Sequence, residues 1–337
     1  MRIALIRLRS LGDTVLMTPA LEALRRDGHQ VGVVLERPFD GILRAHPAVE
    51  RLFVLSGRKS WLSRLRAVGE IRSFRPELAI DLHGGPTSAL MTRLSGAGQR
   101  VGFAASRHRR FYNRLVPDPR ELWGKPRLHT VEHQLAPLLH LGFPVAAEPR
   151  LSLPVDASAL EAMRDLLAAQ GVEEGFILIH PAAAFDTKRW PVERFGALAR
   201  LLLDKGLPAI ATAGPGEETL LEEFRRLTDG RLRVIPPVPL GSFAALASLC
   251  GLYVGNDTGA THVAAAVGRP IVVIFGSSDA NAWHPWGVPY ELLRSDRECV
   301  PCPGYYCLHY PAPLCVRDIP VERVTEAVTR MWSRTGG

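Results

Sequence analysis

The segment Arg7-Leu-Arg-Ser-Leu-Gly-Asp13-Thr follows the first β-rich run of the chain and opens its first helical stretch. In open α/β sheets the carboxyl ends of strands line the ligand crevice. Gly12 lets the backbone turn tightly there, and Asp13 then projects from the loop. From this segment alone the simpler reading of the aspartate is a helix N-cap. Gly255-Asn-Asp257-Thr258-Gly259-Ala-Thr-His262 also runs from a strand into a helix. Its helix-start N–H groups, with Gly259 permitting close approach, would form an anion site. Thr258 adds a hydroxyl and His262 lies one turn in. Asp257 could accept hydrogen bonds from sugar hydroxyls or hold the loop. The ordinary alternative is a capped, buried helix.

His180-Pro-Ala-Ala-Ala-Phe-Asp-Thr187-Lys188-Arg-Trp-Pro191 sits between a strand and a helix, and its threonine and lysine suit a diphosphate. Downstream, Glu217 and Glu218 follow another strand, where acids often take ribose hydroxyls. No G-x-x-x-x-G-K-[ST] phosphate loop occurs, the first loop lacks G-x-G-x-x-G, and there is no D-x-D metal-diphosphate anchor. His129-Thr-Val-Glu132-His133 matches the inverted zinc-peptidase motif H-x-x-E-H, a short pattern that also arises by chance. Cys299, Cys302, Cys307 and Cys315 gather four of the five cysteines late in the chain. Four thiolates could close a tetrahedral structural zinc site, against unligated thiols packed in a loop. Nothing there keeps the open position that a catalytic zinc needs.

The elements that must position these residues alternate. Strands are expected at Ile3–Leu8, Val31–Leu35, Leu52–Leu55, Leu78–Asp81 and Arg100–Phe103. Helices are expected at Thr14–Arg26, Trp61–Phe74, Pro86–Leu94 and Thr130–Leu141. A Pro-rich stretch from Gly142 to Pro154 has linker character. The alternation restarts with strands at Phe176–His180, Pro208–Thr212, Leu232–Ile235, Leu252–Gly255 and Ile271–Phe275. Helices there are expected at Val192–Asp204, Glu217–Thr228, Ser242–Cys250 and Ala260–Val267, with a last helix at Pro320–Trp332. Two successive β/α arrays imply an α/β protein with two parallel-sheet domains facing each other across a cleft. The length of 337 residues suits two such domains.

With 47% hydrophobic and 22% charged residues, the composition is that of a globular protein, and no apolar run approaches the roughly 20 residues of a membrane span. Met1 enters a strand without a leader-like segment, so a cytoplasmic protein is expected, possibly peripheral on the inner face of a membrane. The net charge of +7 is unevenly spread. Arg51 to Arg75 holds seven basic residues (Arg51, Arg58, Lys59, Arg64, Arg66, Arg72, Arg75) against Glu70 alone. Arg100 to Arg127 holds eight against Asp118 and Glu121. That half of the chain should face something anionic, unless these are simply solvated helix faces. Nucleic acid is disfavoured, because no recognisable binding module accompanies the charge.

Taken in order, these segments resemble glycosyltransferase family 9, the ADP-heptose:lipopolysaccharide heptosyltransferases. The likeness is carried by Ile6 to Ala20, Asp81-Leu-His-Gly-Gly-Pro-Thr-Ser-Ala89, Arg100-Val-Gly-Phe103 and Lys188-Arg-Trp-Pro191. Gly255 to Ala265, Phe275-Gly-Ser-Ser-Asp279 and the cysteine loop complete it. The resemblance implies a GT-B fold: an acceptor domain over 1–150, a nucleotide-sugar domain over 151–319, and a helix over 320–337 returning to the first domain. It implies inverting transfer of heptose from ADP-L-glycero-D-manno-heptose to the lipopolysaccharide inner core, with no metal or other cofactor required for catalysis. Asp13 matches the catalytic acid/base position. Lys188 and the Asp257–His262 loop match the donor-nucleotide site, with Thr187 beside them. Glu217 or Glu218 fits the ribose-binding acid. On the acceptor side stand Ser10, Gly12 and His83, and Arg64 and Arg66 would grip the anionic core. One departure is Ala182-Ala183, where many members carry glycine after His-Pro, which bears on donor identity. The nearest rival is another donor or acceptor within the same fold; a distant one is a zinc hydrolase built on His129, Glu132 and His133.

Overall fold

A computed structural model describes residues 1–56, 60–302 and 304–336. Arg58 and Lys59 of the first basic segment lie outside the described residues. The chain divides into two compact units, Met1–Pro154 and Val155–Gly337. The division thus falls at the end of the Pro-rich stretch.

Unit one contains β1 (Arg2–Ile6), α1 (Leu11–Leu16), α2 (Thr18–Arg26), β2 (Gln30–Glu36), β3 (Arg51–Leu55) and α3 (Trp61–Phe74). It continues with β4 (Leu78–Asp81), α4 (Pro86–Leu94), β5 (Gln99–Phe103), β6 (Arg114–Val116), α5 (Pro119–Trp123) and α6 (Thr130–Leu141). The six strands form one parallel sheet in the order β3-β2-β1-β4-β5-β6. Strands covered on both faces read as continuous apolar runs, and Ile3 to Ile6 and Val33 to Leu35 are wholly buried. On one face, Ala67, Ile71 and Phe74 of α3 and Met91 of α4 share a core with Ala4, Ile6, Val34 and Phe53. The helix expected over Thr14–Arg26 is in fact two, because Pro19 stands in the first turn of α2 and lacks the N–H that would continue α1. The edge strand β6 was not expected. It has three residues, two of them exposed, and so carries no hydrophobic pattern.

Unit two contains α7 (Ala157–Ala169), β7 (Ile177–His180), α8 (Val192–Asp204), β8 (Ala209–Ala211), α9 (Glu218–Leu227), β9 (Arg233–Val234) and α10 (Leu240–Leu249). Then come β10 (Leu252–Asn256), α11 (Gly259–Ala266), β11 (Ile271–Ile274), α12 (Ala280–Trp283), β12 (Tyr290–Leu293), α13 (Leu314–Arg317) and α14 (Val321–Thr335). Its sheet is again parallel, in the order β12-β11-β10-β7-β8-β9. Read in chain order, both sheets follow the 3-2-1-4-5-6 pattern of a dinucleotide-binding domain. Helix α7, absent from the sequence reading, is started by Asp156, whose side chain accepts from Ala159 N at 3.0 Å.

Helix α14 corrects one expectation. It packs on unit two, and Val324, Ala327, Val328, Met331 and Trp332 join the core of that unit with Trp190, Val272 and Ile274. Its apolar residues recur at three- and four-residue spacing, which leaves one stripe for one partner. That stripe is spent on the sheet of unit two. Trp332 is 7% exposed. Trp332→Ala should therefore lower stability by about 3–5 kcal/mol in a chemical or thermal unfolding experiment. An unchanged transition would show that α14 does not belong to this core.

Candidate active site

A parallel sheet in this strand order leaves its crevice where the chain reverses direction across the sheet, at the ends of β1 and β4 and of β7 and β10. The loops at these four strand ends hold most of the residues singled out above.

In unit one, Ser10 is the N-cap of α1, and Asp13 is the third residue of that helix rather than its cap. The Asp13 carboxylate reaches back over the loop. Its Oδ2 accepts from Ser10 N at 3.2 Å and from Ser10 Oγ at 3.0 Å, while Oδ1 pairs with the Arg7 guanidinium. Both side chains of that pair are 13% exposed. A carboxylate offers about four lone-pair directions. These bonds use three and leave one, on Oδ1, for a further donor. Arg7 also donates to the carbonyl of Leu82, which ties the β1 and β4 loops together.

The second loop is shaped by Asp81, fully buried, which accepts from His83 N at 2.8 Å and Gly84 N at 2.9 Å. Tyr112 Oη donates to its other oxygen at 2.7 Å. Gly84 takes φ +71°, open to glycine at no steric cost. Burial, the Asp81 charge and this hydrogen bond all push the Tyr112 phenol up, so it stays a donor. His83 and His133 are both held below the usual imidazole range, by burial first and then by the Arg7 charge. Both imidazoles are therefore neutral near pH 7. Gln134 Nε2 donates to the Asp13 carbonyl at 3.2 Å. Among the described residues, Arg7 Nε, His83 Nδ1 and Gln134 Oε1 are buried with no hydrogen-bond partner. Buried polar atoms are nearly always paired. Three orphans around one carboxylate mark a polar site shaped for something else.

Arg64 and Arg66 sit farther along, on α3. Arg66 is bound to Glu70 at 2.9 Å on the helix surface.

In unit two, Lys188 Nζ lies 2.7 Å from Asp257 Oδ2 and is 25% exposed, while Asp257 is 3% exposed. Ser278 Oγ donates to the same carboxylate oxygen. Thr187 donates to Gly304 O at 2.9 Å and lies 3.0 Å from Ser277 Oγ. A Cβ on Gly276 would fall 1.9 Å from the Thr187 carbonyl, so only glycine allows this strand end to approach the Lys188 loop. Asn256 pins the same loop by accepting from Trp190 N at 3.0 Å and donating to Pro181 O at 2.8 Å. Thr258, the N-cap of α11, has a buried hydroxyl with no partner among the described residues. Gly259 opens that helix, and the buried His262 faces the Trp283 ring at 6.2 Å. A diphosphate placed at the amino end of α11 would meet unpaired N–H groups, a hydroxyl and the Lys188 ammonium.

Glu217 Oε2 accepts from Gly214 N at 2.7 Å, and Glu218 Oε1 from Gly216 N at 3.1 Å. Each acid thus has one oxygen on the loop backbone and one left for a hydroxyl. Ala182 and Ala183 are buried, and the Ala183 carbonyl accepts from Arg189 at 2.7 Å. His180, the last residue of β7, is buried between the rings of Phe243 (5.6 Å) and Tyr253 (6.4 Å).

Two metal readings fare differently from the site above. His129 caps α6 by accepting from Val131 N at 3.1 Å, and Glu132 accepts from His129 N at 2.9 Å and pairs with Lys125 at 2.5 Å. His133 lies against the Phe103 ring at 4.5 Å. The H-x-x-E-H pattern is thus a helix-start capping box, with His129 and Glu132 engaged in the cap and His133 on Phe103. Cys299, Cys302, Cys307 and Cys315 are free thiols. Burial and the three other cysteines raise Cys315 to about 11. Yet among the described residues no three His, Cys, Asp or Glu side chains form a set that could hold a metal ion. Cys315 is held in α13, while the other three ride on the irregular chain before it.

Two parallel sheets of this order, one in each unit, are the arrangement of the GT-B fold. The structure is similar to a glycosyltransferase family 9 protein from Veillonella parvula, with TM-score 0.84, 21% identity and 99% and 97% of the two chains covered. It is also similar to Escherichia coli ADP-heptose lipopolysaccharide heptosyltransferase II, with TM-score 0.81, 20% identity and full coverage of both. In sequence it is 27% identical to lipopolysaccharide heptosyltransferase 1 of Pseudomonas aeruginosa over 98% of each chain. The profile of glycosyltransferase family 9 (heptosyltransferase) matches residues 64–312, and the chain belongs to that family.

His180 gives unit two a measurable pH signature. Burial lowers it from 6.5 to about 4. Above pH 6.5 both folded and unfolded chains hold it neutral, and it contributes nothing. As pH falls from 6.5 to 4 only the unfolded chain takes the proton, so stability is lost over that window, by about 3 kcal/mol. Urea unfolding of His180→Gln should show a correspondingly smaller loss between these pH values. An identical loss would place the titrating group elsewhere.

Proposed function

We propose that the chain is an inverting glycosyltransferase that moves heptose from ADP-L-glycero-D-manno-heptose to the inner core of lipopolysaccharide. Each unit supplies one half of that chemistry. The observation that carries the reading is the pair of prepared charges: Asp13 oriented by Ser10 and Arg7, and Lys188 beside the open end of α11. Similarity to heptosyltransferases along nearly the whole chain supports the donor and the acceptor class.

In the reaction, Asp13 takes the proton of the acceptor hydroxyl through its remaining Oδ1 lone pair. The hydroxyl oxygen attacks the anomeric carbon, the bond from that carbon to the diphosphate breaks, and the configuration inverts. Negative charge builds on the departing ADP. Lys188, Thr258 and the first N–H groups of α11 receive it, so these residues do the work a metal does in other transferases. Asp257, relieved of Lys188 as the diphosphate binds, can accept from sugar hydroxyls. Glu217 or Glu218 takes the ribose. Ser10, Gly12 and His83 form the acceptor side. Arg64 and Arg66 meet the anionic core, whose carboxylates and phosphates suit bidentate arginine. The acceptor is lipid-borne, and we place the enzyme at an anionic membrane surface. Among the described residues no helix is long and apolar enough to cross one.

The test is ADP release from ADP-heptose with heptose-free Kdo2-lipid A, in EDTA. Wild type should turn over only with acceptor present, and Asp13→Ala should lose about 10²–10⁴-fold. Lys188→Ala should lose about 10²–10³-fold in kcat. Activity in Asp13→Ala close to wild type would remove the base, and dependence on added metal would remove the role given to Lys188.

A further inference from the structure

We propose that the outer face of the α3–α4 layer docks the protein on the surface of an anionic lipid bilayer; this rests on the reading of a lipid-borne acceptor. Helix α3 buries Ala67, Ile71 and Phe74 against the sheet. A surface helix ordinarily turns polar residues to the other side. Here that side begins with Trp61, Leu62 and Leu65, which are 65%, 63% and 55% exposed. Helix α4 repeats the inversion. Met91 faces the core, while Pro86, Leu90 and Leu94 recur at every fourth residue on the exposed side. Leu90 and Leu94 are 47% and 37% exposed.

Single exposed apolar residues are common and need no account. Five large ones on two helices that cover the same sheet face form the kind of surface that marks an interface. Charge selects the occupant. Among the described residues, Arg64, Arg66, Arg72 and Arg75 lie on α3 or at its end against Glu70 alone, and Arg93 adds an exposed guanidinium on α4. Leucine and tryptophan framed by arginine is the composition of a helix that lies in the headgroup region of an anionic membrane. Position agrees with the chemistry. Helix α3 starts after the carboxyl end of β3, so Trp61 and Leu62 stand at the end of the sheet that carries Asp13 and His83. A bilayer met by this face would present its headgroups on the acceptor side.

The experiment is co-sedimentation of the full chain with phosphatidylethanolamine–phosphatidylglycerol vesicles and, in parallel, phosphatidylcholine vesicles. The variant is Leu62→Ser/Leu65→Ser/Leu90→Ser, all exposed positions outside the reacting groups. Wild type should bind the anionic vesicles about tenfold or more tightly than the neutral ones. The variant should lose about tenfold or more on anionic vesicles. Its circular dichroism and its rate with a deacylated, water-soluble acceptor should stay unchanged. Equal binding by variant and wild type, or no preference for anionic lipid, overturns the proposal. So does a wild-type dimer in sedimentation velocity that the substitutions dissolve, since the face would then cover a second copy. Heptosyl transfer without vesicle binding would sink the docking face alone. Vesicle binding that the substitutions abolish, in a chain that transfers no heptose, would sustain the face and sink the enzymatic reading.

Discussion

A right-handed crossover between parallel strands can place the next strand on either side of the first, but each sheet must change sides once to cover both its faces. Where it does, two neighbouring strand ends have their helices on opposite faces, and a gap opens between the loops. Unit one makes this change between β1 and β4, unit two between β7 and β10. Asp13, His83, Lys188, Asp257 and Thr258 all sit in loops or first helical turns at these four ends. The chemistry assigned to the chain depends on that topological constraint, which brings Arg7 to the Leu82 loop in unit one and Lys188 to Asp257 in unit two.

The charges at the two gaps are held rather than loose. Asp13 is clasped by Ser10 and Arg7, and Lys188 by Asp257, each largely removed from solvent. Charges fixed in place before substrate arrives need little rearrangement as bonds change, which is where electrostatic catalysis gets its advantage. The supports are themselves fixed: Asp81 holds the His83 turn with two hydrogen bonds and accepts a third from Tyr112, and Asn256 holds the Lys188 loop with two. Glycine at 276 lets the backbone close over Thr187.

Much of this was legible in the sequence because parallel strands buried on both faces leave apolar runs that need no partner to be seen. Most of the inner strands and long helices fall within a residue or two of expectation. What escaped was set by contacts. The edge strands β6 and β12 are short and half exposed, so pairing rather than composition makes them strands. The break between α1 and α2 turns on Pro19 in a stretch otherwise apolar at helical spacing. Asp13 could be placed near a helix start but not on its third position, and its bond to Arg7 has no sequence signature. The amphipathic pattern of α14 declared a buried stripe without saying against which unit. The short H-x-x-E-H pattern is put to another use, since His129 and Glu132 serve a helix cap and His133 packs on Phe103.

The division of labour between the two reversal points can be measured without acceptor, by titrating ADP into the protein in a calorimeter. Lys188→Ala should bind ADP at least about tenfold more weakly than wild type, and Asp13→Ala should bind it as wild type does. Loss of ADP binding in Asp13→Ala with retention in Lys188→Ala would contradict the assignment of donor and base to these two sites.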